Sequence, residues 1–291
     1  MVIQHIKDPL CQGFSAQIHR LASTIGTTET ELSRRTVICQ RLEELLRRYI
    51  LNSKVVQFGS AITGLGTNDS DMDLCLSFAP NETSLVHQTE VVFRILKELR
   101  REKCGFFKSL YAVSDARCPV IRFRAYDGHL VELSVNNTIG YQKSAYLGAL
   151  VQADQSGLLR ELILALRFWA ASNGVFKSER KKTWNLNSYT MTLMFLTFLR
   201  MEEIVPDFTH SDSPEMVNGL RVDFAVPSFT LAGIDFRRLF KKFFVCCVEG
   251  HLDKLVFSLR KGALVPLAEL DVQMNSKPES ILFVQNKFCF C

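Results

Sequence analysis

Phe58-Gly59-Ser60-Ala61-Ile62-Thr63-Gly64-Leu65-Gly66-Thr67-Asn68-Asp69-Ser70-Asp71-Met72-Asp73-Leu74 is the stretch on which the fold turns. Val55-Val56-Gln57-Phe58 reads as a short strand ended by Gly59-Ser60. Leu74-Cys75-Leu76-Ser77-Phe78 reads as a second strand, entered through Asp71-Met72-Asp73. Alternate strand residues point the same way, so Asp71 and Asp73 share a face, roughly 6–7 Å apart along the backbone. Two carboxylates that close repel unless a cation lies between them. Oxygen-only ligands suit Mg2+, which takes its other ligands from water and substrate phosphates. Gly59 lets the backbone approach a phosphate, a helix beginning there turns free N–H groups toward the anion, and the Ser60 hydroxyl adds a donor. A lone Gly-Ser is usually a turn, and a lone D-x-D is usually a surface or capping feature. Side by side between apolar strands, they describe a nucleoside-triphosphate site.

Working outward, Thr28 and Glu31 have capping-box spacing, and Leu32, Val37, Ile38, Leu42, Leu45 and Leu46 recur at helical spacing, predicting a helix over about 29–50. A further amphipathic helix is expected over about 84–102. Three β-like runs follow at 109–113, 120–123 and 130–135, the last two joined through the turn Tyr126-Asp127-Gly128-His129 as a hairpin. This half reads as a mixed sheet carrying helices. Beyond it the pattern turns helical, with apolar runs at 158–172, 187–201 and 234–248, a loop-rich connection over 206–227 and a late strand at 282–285. The change of pattern puts a domain boundary between about 140 and 154.

The bulk numbers agree with two soluble domains. The chain has 291 residues, 47% hydrophobic and 22% charged, and a formal net charge of +5 that is a mild bias and not a basic tail. Its basic clusters, Arg34/Arg35 among them, read mostly as solvated helix faces. Nine cysteines occur without any C-x-x-C pair, which excludes an ordinary zinc site and fits buried free thiols in a reducing compartment. No apolar run approaches the ~20 residues of a membrane span, and the first residues do not read as a secretory or clear targeting segment.

The run FGSAITGLGTNDSDMDLCLSF resembles the noncanonical poly(A) polymerases and terminal uridylyltransferases, within the polymerase-β-like nucleotidyltransferases. The resemblance continues through Cys118-Pro119-Val120-Ile121-Arg122-Phe123, Val131-Glu132-Leu133-Ser134-Val135-Asn136-Asn137, Leu166-Arg167-Phe168-Trp169-Ala170 and Trp184-Asn185-Leu186-Asn187-Ser188-Tyr189, to Phe283-Val284-Gln285-Asn286. Within that group the likeness is greatest to the mitochondrial poly(A) polymerases. It implies an α+β fold: a polymerase-β-like palm of mixed sheet and helices over 28–145, after an N-terminal extension, 1–27. A mostly helical poly(A)-polymerase-associated domain over 146–291, cut short at its end, would follow.

It also implies an enzyme that adds AMP from ATP to an RNA 3′ end by two-metal chemistry with Mg2+ or Mn2+, in the mitochondrion or cytoplasm, and it admits a homodimer. Asp71 and Asp73 would hold the metals with Glu132 as third carboxylate, where the family usually has Asp. Phe58, Gly59 and Ser60 would cradle the triphosphate, Arg167 would face the phosphates, Ser188 would bond one, Tyr189 would stack on the base and Asn137 would read the sugar. Each has a bland counterpart: Glu132 as a strand-surface residue, Arg167 as a helix-surface cation, Tyr189 as core packing, Asn137 as a turn residue. Three rival readings stay open: uridylyl transfer from UTP, the same fold with another acceptor (an oligoadenylate synthase or small-molecule nucleotidyltransferase), and a catalytically weak or inactive RNA-binding relative.

Overall fold

The computed structural model describes residues 13–78, 85–114, 118–176, 186–210, 212–217, 220–250, 252 and 254–266. The chain divides into two compact units, Gly26–Ala149 with Met216–Gly219, and Met1–Ile25 with Leu150–Glu215 and Leu220–Cys291. The helical stretch Phe14–Ile25 (α1), within the segment read as an N-terminal extension, thus groups with the second unit.

The first unit is built on a five-stranded mixed sheet. Its strands are β1 (Lys54–Phe58), β2 (Met72–Ser77), β3 (Phe107–Val113), β4 (Val120–Ala125) and β5 (Leu130–Val135), in the order β1-β2-β5-β4-β3. Only β2 and β5 run parallel; the other neighbours are antiparallel. Helices α2 (Glu29–Leu46) and α4 (Leu85–Leu99) cover it, and a single turn α3 (Ser60–Thr63) follows β1. One core cluster joins Ile38, Leu42 and Leu46 of α2, Val92 and Leu99 of α4, and the sheet residues Leu74, Leu76, Ile121, Phe123, Val131 and Leu133. Leu32 and Val37, read with them on the apolar face of α2, are exposed instead; burying the clustered residues is the main stabilisation of the unit.

Thr28 caps α2 by accepting the Glu31 N–H, but the reciprocal half of the capping box is missing. The Glu31 carboxylate instead accepts from Arg35 Nε at 2.8 Å and meets His129 Nε2. Arg35 is fully buried, which overturns its reading as part of a solvated cluster; Arg34 beside it is exposed. The reason is the Arg35 Nη2 group, which donates to the carbonyls of Thr67, Asn68 and Ser70, the last at 2.8 Å. Together with Thr28 N–H on Asn68 Oδ1 and Thr27 N–H on the Gly66 carbonyl, this pins the loop that leads into Asp71 and Asp73.

Removing a buried ionic partner strands the group left behind, typically at ~3–5 kcal/mol. Arg35→Met is therefore expected to lower the free energy of unfolding by that order in urea titrations. A loss below ~1 kcal/mol would show that the loop is held by other bonds.

In the second unit, α6 (Leu158–Ser172), α7 (Ser188–Met201) and α8 (Phe236–Glu249) are the long apolar runs of the sequence, and the hairpin Leu255–Ser258/Ala263–Pro266 packs on α7. Helix α5 (Thr138–Ala153) carries the division between the units, at 149/150. Buried Phe195 stacks on Phe240 (ring centroids 5.6 Å apart) and meets Phe243 edge-on. Buried Asp154 organises the start of α6, accepting the N–H of Leu159 at 2.8 Å and of Ser156 and Leu231. The connection over 206–227 contains two-residue strands, where the sequence showed only loop. The expected strand at 282–285, and Trp184 and Asn185, lie outside the described residues. Among the described residues no helix is long and apolar enough to cross a membrane. Six cysteines there are free thiols, and burial pushes Cys39 and Cys118 up to about 11, which makes them poor nucleophiles.

Candidate active site

The strand register places two of the three candidate carboxylates, Asp73 and Glu132, in one row. Phe58 lies opposite Asp73, Asp73 opposite Glu132, Glu132 opposite Arg122 and Arg122 opposite Tyr111. Directly opposed residues share a face of the sheet, so these side chains are neighbours. Asp71 is exposed and precedes β2 by one residue; Asp73 is half-buried within it.

Burial, then the charges of Glu132 and Asp71, push the Asp73 carboxyl up to about 6, with Arg35 offsetting part of the rise. Asp71 is raised too, by burial and then by Glu132, against Arg122, Arg124 and Arg35. Two carboxylates whose ionisation is opposed by burial and by adjoining negative charge are a donor set suited to a hard divalent cation. Glu132 stands differently, since its Oε1 is ion-paired with Arg122 Nη2. Among the described residues no group of three or more His, Cys, Asp or Glu is arranged to hold a metal. The donor set that fits a cation is the pair Asp71 and Asp73, with the third carboxylate engaged by an arginine.

A group whose folded pKa is raised contributes stability below its unfolded pKa and loses it as pH rises through the folded value. For Asp73 that window runs from about 4, where a free aspartate titrates, to about 6. In metal-free buffer Asp73→Asn is expected to melt at a higher temperature than the parent chain above pH 6, the difference vanishing below about pH 4. A difference independent of pH would show that the crowding of carboxylates does not set the Asp73 pKa.

Gly59 closes the row. It adopts φ 63°, ψ −137°, and a Cβ there would lie 2.0 Å from Asp73 Oδ2, so only glycine lets the turn lie against the carboxylate. The helix expected to begin here is only the four-residue α3, and the Gly59 N–H is already donated to Ser144 Oγ at 2.8 Å. The cradle offered to a phosphate is therefore the tight turn and the half-buried Ser60, not a long helix dipole. Asn137 stands at the head of α5, where its Oδ1 accepts the Gly140 N–H at 3.0 Å and its own N–H meets Cys75 Sγ.

The remaining candidates lie in the helical unit. Arg167 is half-buried on α6, its Nε donating to Thr192 Oγ1 at 2.8 Å, and Thr192 Oγ1 donates to the Ser188 carbonyl. Burial pushes Arg167 down to about 10. Ser188 is the exposed first residue of α7, behind its cap Asn187, and Tyr189 beside it is half-buried, its hydroxyl pushed up by burial. The Arg167 guanidinium and the head of α7 are thus tied through one threonine that the sequence reading passed over. It passed over Ser144 as well, took Arg35 for a solvated cation and quoted Arg122 without a role. The i, i+4 spacing of Glu31 and Arg35 was a visible signal; the other two depended on pairing and packing.

A mixed five-stranded sheet with a Gly-Ser turn ending one strand and carboxylates opening the next has the fold of a polymerase-β-like palm. The profile of the family described as "Poly(A) RNA polymerase, mitochondrial-like, central palm domain" matches residues 14–152. Residues 14–152 are thus similar to that palm-domain family, in line with the resemblance the motifs carried.

Poly(A) RNA polymerase GLD2-A of Xenopus laevis is 25% identical over 195 residues, which cover 66% of this chain and 37% of that protein. The chain therefore spans well under half the length of that relative. The structure of mtPAP in complex with ATPgammaS superimposes with a TM-score of 0.79 at 23% identity, over 91% of this chain and 61% of the other. Cid1, a protein described by its RNA terminal uridylyl transferase activity, gives 0.71 at 21% identity, over 88% and 76%. At those identities the two structures establish the fold.

Proposed function

We propose that this chain is the catalytic core of a template-independent RNA nucleotidyltransferase that adds AMP from ATP to a 3′ end. The observation that carries the reading is the contact of Gly59 with Asp73, which sets a phosphate-cradling turn against a cation-binding carboxylate within a poly(A)-polymerase-type palm. Asp71 and Asp73 are the proposed ligands of Mg2+ or Mn2+. When bound, such an ion lowers the pKa of an attacking hydroxyl and steadies the leaving pyrophosphate.

The chain's own groups do the rest. Phe58, Gly59 and Ser60 border the triphosphate, and the fixed turn at Gly59 excludes a side chain from that space. Asn137 is the proposed sugar contact. In the helical unit Arg167 and Ser188 are proposed as phosphate contacts and Tyr189 as the face on which the base stacks, a contact worth ~1–3 kcal/mol and tolerant of base identity. RNA would be held through its backbone and by stacking, with little sequence reading.

Two observations favour second readings. The fold shared with Cid1 supports UTP as the substrate. The Arg122–Glu132 pair supports a slow or inactive relative. One assay separates all three: the protein with a short RNA, Mg2+ or Mn2+, and each NTP in turn. A ladder with ATP is the expected result, a ladder with UTP alone replaces ATP by UTP, and no extension with any nucleotide overturns the enzymatic reading.

A further inference from the structure

The candidate third carboxylate of the site is a glutamate, Glu132, and an arginine holds it. Glu132 on β5 stands directly opposite Arg122 on β4, and Arg122 Nη2 is ion-paired with Glu132 Oε1. On its other side Glu132 stands opposite Asp73 on β2. The carboxylate therefore has two directions open to it along the row, toward Asp73 and a shared cation, or toward the guanidinium. It takes the second. Chain length explains why: glutamate carries one methylene more than aspartate, which lets its carboxylate extend to the neighbouring strand's arginine. Arg122 is in turn held by the Tyr111 hydroxyl on β3 and is about one-third exposed. An arginine so placed satisfies a carboxylate bidentately or end-on without a metal.

We infer that Arg122 is a positioning residue that draws Glu132 away from the Asp71–Asp73 pair, so that a divalent cation must compete with a built-in one for the third carboxylate. The inference rests on the proposed reading of Asp71 and Asp73 as cation ligands. It assigns to Arg122 control of cation affinity, with Glu132 free to swing between the two partners.

The test is Mn2+ binding to the whole chain in the absence of nucleotide and RNA, read by the loss of free-ion electron paramagnetic resonance signal and by calorimetry. Arg122→Met releases Glu132 and is expected to tighten Mn2+ binding by about tenfold or more, in the range that ligand-orienting partners command. Removing a positive charge would tighten any nearby cation site, so the deciding variant is Glu132→Asp, which leaves every charge in place. Its shorter side chain falls back from Arg122 toward the row, and it is expected to tighten Mn2+ binding in the parent chain but not in the Arg122→Met background.

Equal affinity of Glu132→Asp and parent, or weaker binding by Arg122→Met, overturns the inference and makes Arg122 a structural pair or an orienter of Glu132 toward the metal. Circular dichroism of each variant guards against unfolding, and Glu132→Asp stands on its own if Arg122→Met fails to fold. Parent chain that binds Mn2+ and loses it in Asp71→Ala/Asp73→Ala keeps the functional reading even when the inference fails. Parent chain with no Mn2+ binding removes both.

Discussion

The double variant Asp71→Ala/Asp73→Ala is expected to lose nucleotide addition by on the order of 10³-fold or more while keeping its fold. Groups that act only in the chemical step lower turnover by such factors when removed. Neither side chain belongs to the core: Asp71 is exposed, and Asp73 is half-buried between Phe58 and Glu132 on the flanking strands. Burial and the adjoining carboxylates make the ionised Asp73 a cost to the folded state, so its removal leaves melting at neutral pH unchanged or raised in metal-free buffer. Extension of a short RNA under saturating ATP and Mg2+ measures the first effect, and a thermal melt the second. A double variant that melts like the parent and still extends RNA at a comparable rate would move the active site elsewhere.

Gly59→Ala is expected to be nearly as damaging, for a steric reason. The new Cβ would fall 2.0 Å from Asp73 Oδ2 and 2.8 Å from its carboxyl carbon, inside the distance at which something must move. The backbone, at φ 63°, ψ −137°, sits where a side chain is strained even with space around it. Either the turn or the carboxylate shifts, and a displacement of ~1 Å at reacting groups can cost about 10²-fold in rate. The strain itself should destabilise by ~1–3 kcal/mol.

Gly105→Ala separates the two effects. Gly105 has φ 66°, but a Cβ there would meet nothing within 4 Å, so alanine carries the backbone strain without the collision. A loss of stability in both variants, larger in Gly59→Ala, with the loss of activity confined to Gly59→Ala is the expected pattern. Full activity in Gly59→Ala would mean that the turn and Asp73 do not work together.

Much of this was legible in the chain because it is local. The alternations of β1, β2, β4 and β5, the 3.6-residue pattern of α2, and the apolar runs that became α6, α7 and α8 are set by neighbours within one or two turns, and each element lies within a few residues of where its pattern put it. Thr28, read as a cap, did what its side chain does locally, accepting an N–H three residues on, and Asn187 does the same at the head of α7. The D-x-D at a strand entrance follows from the same local logic.

The partners of those elements were another matter. The turn Tyr126–His129, taken alone, would pair 125 with 130 and set Arg122 against Leu133. The actual register has Arg124 opposite Leu130, which puts Arg122 opposite Glu132. One residue of slip exchanges the faces of a strand, and only the packing of Ile121, Phe123, Val131 and Leu133 into one core selects between the two. The burial of Arg35 has the same origin: three loop carbonyls more than thirty residues away accept its Nη2, and nothing in an Arg-Arg pair foretells them. Sequence by itself determined the elements and the kinds of group at the head of β2. Tertiary structure decided which charge faces which, because that depends on register and burial, and both are settled by contacts between residues far apart in the chain.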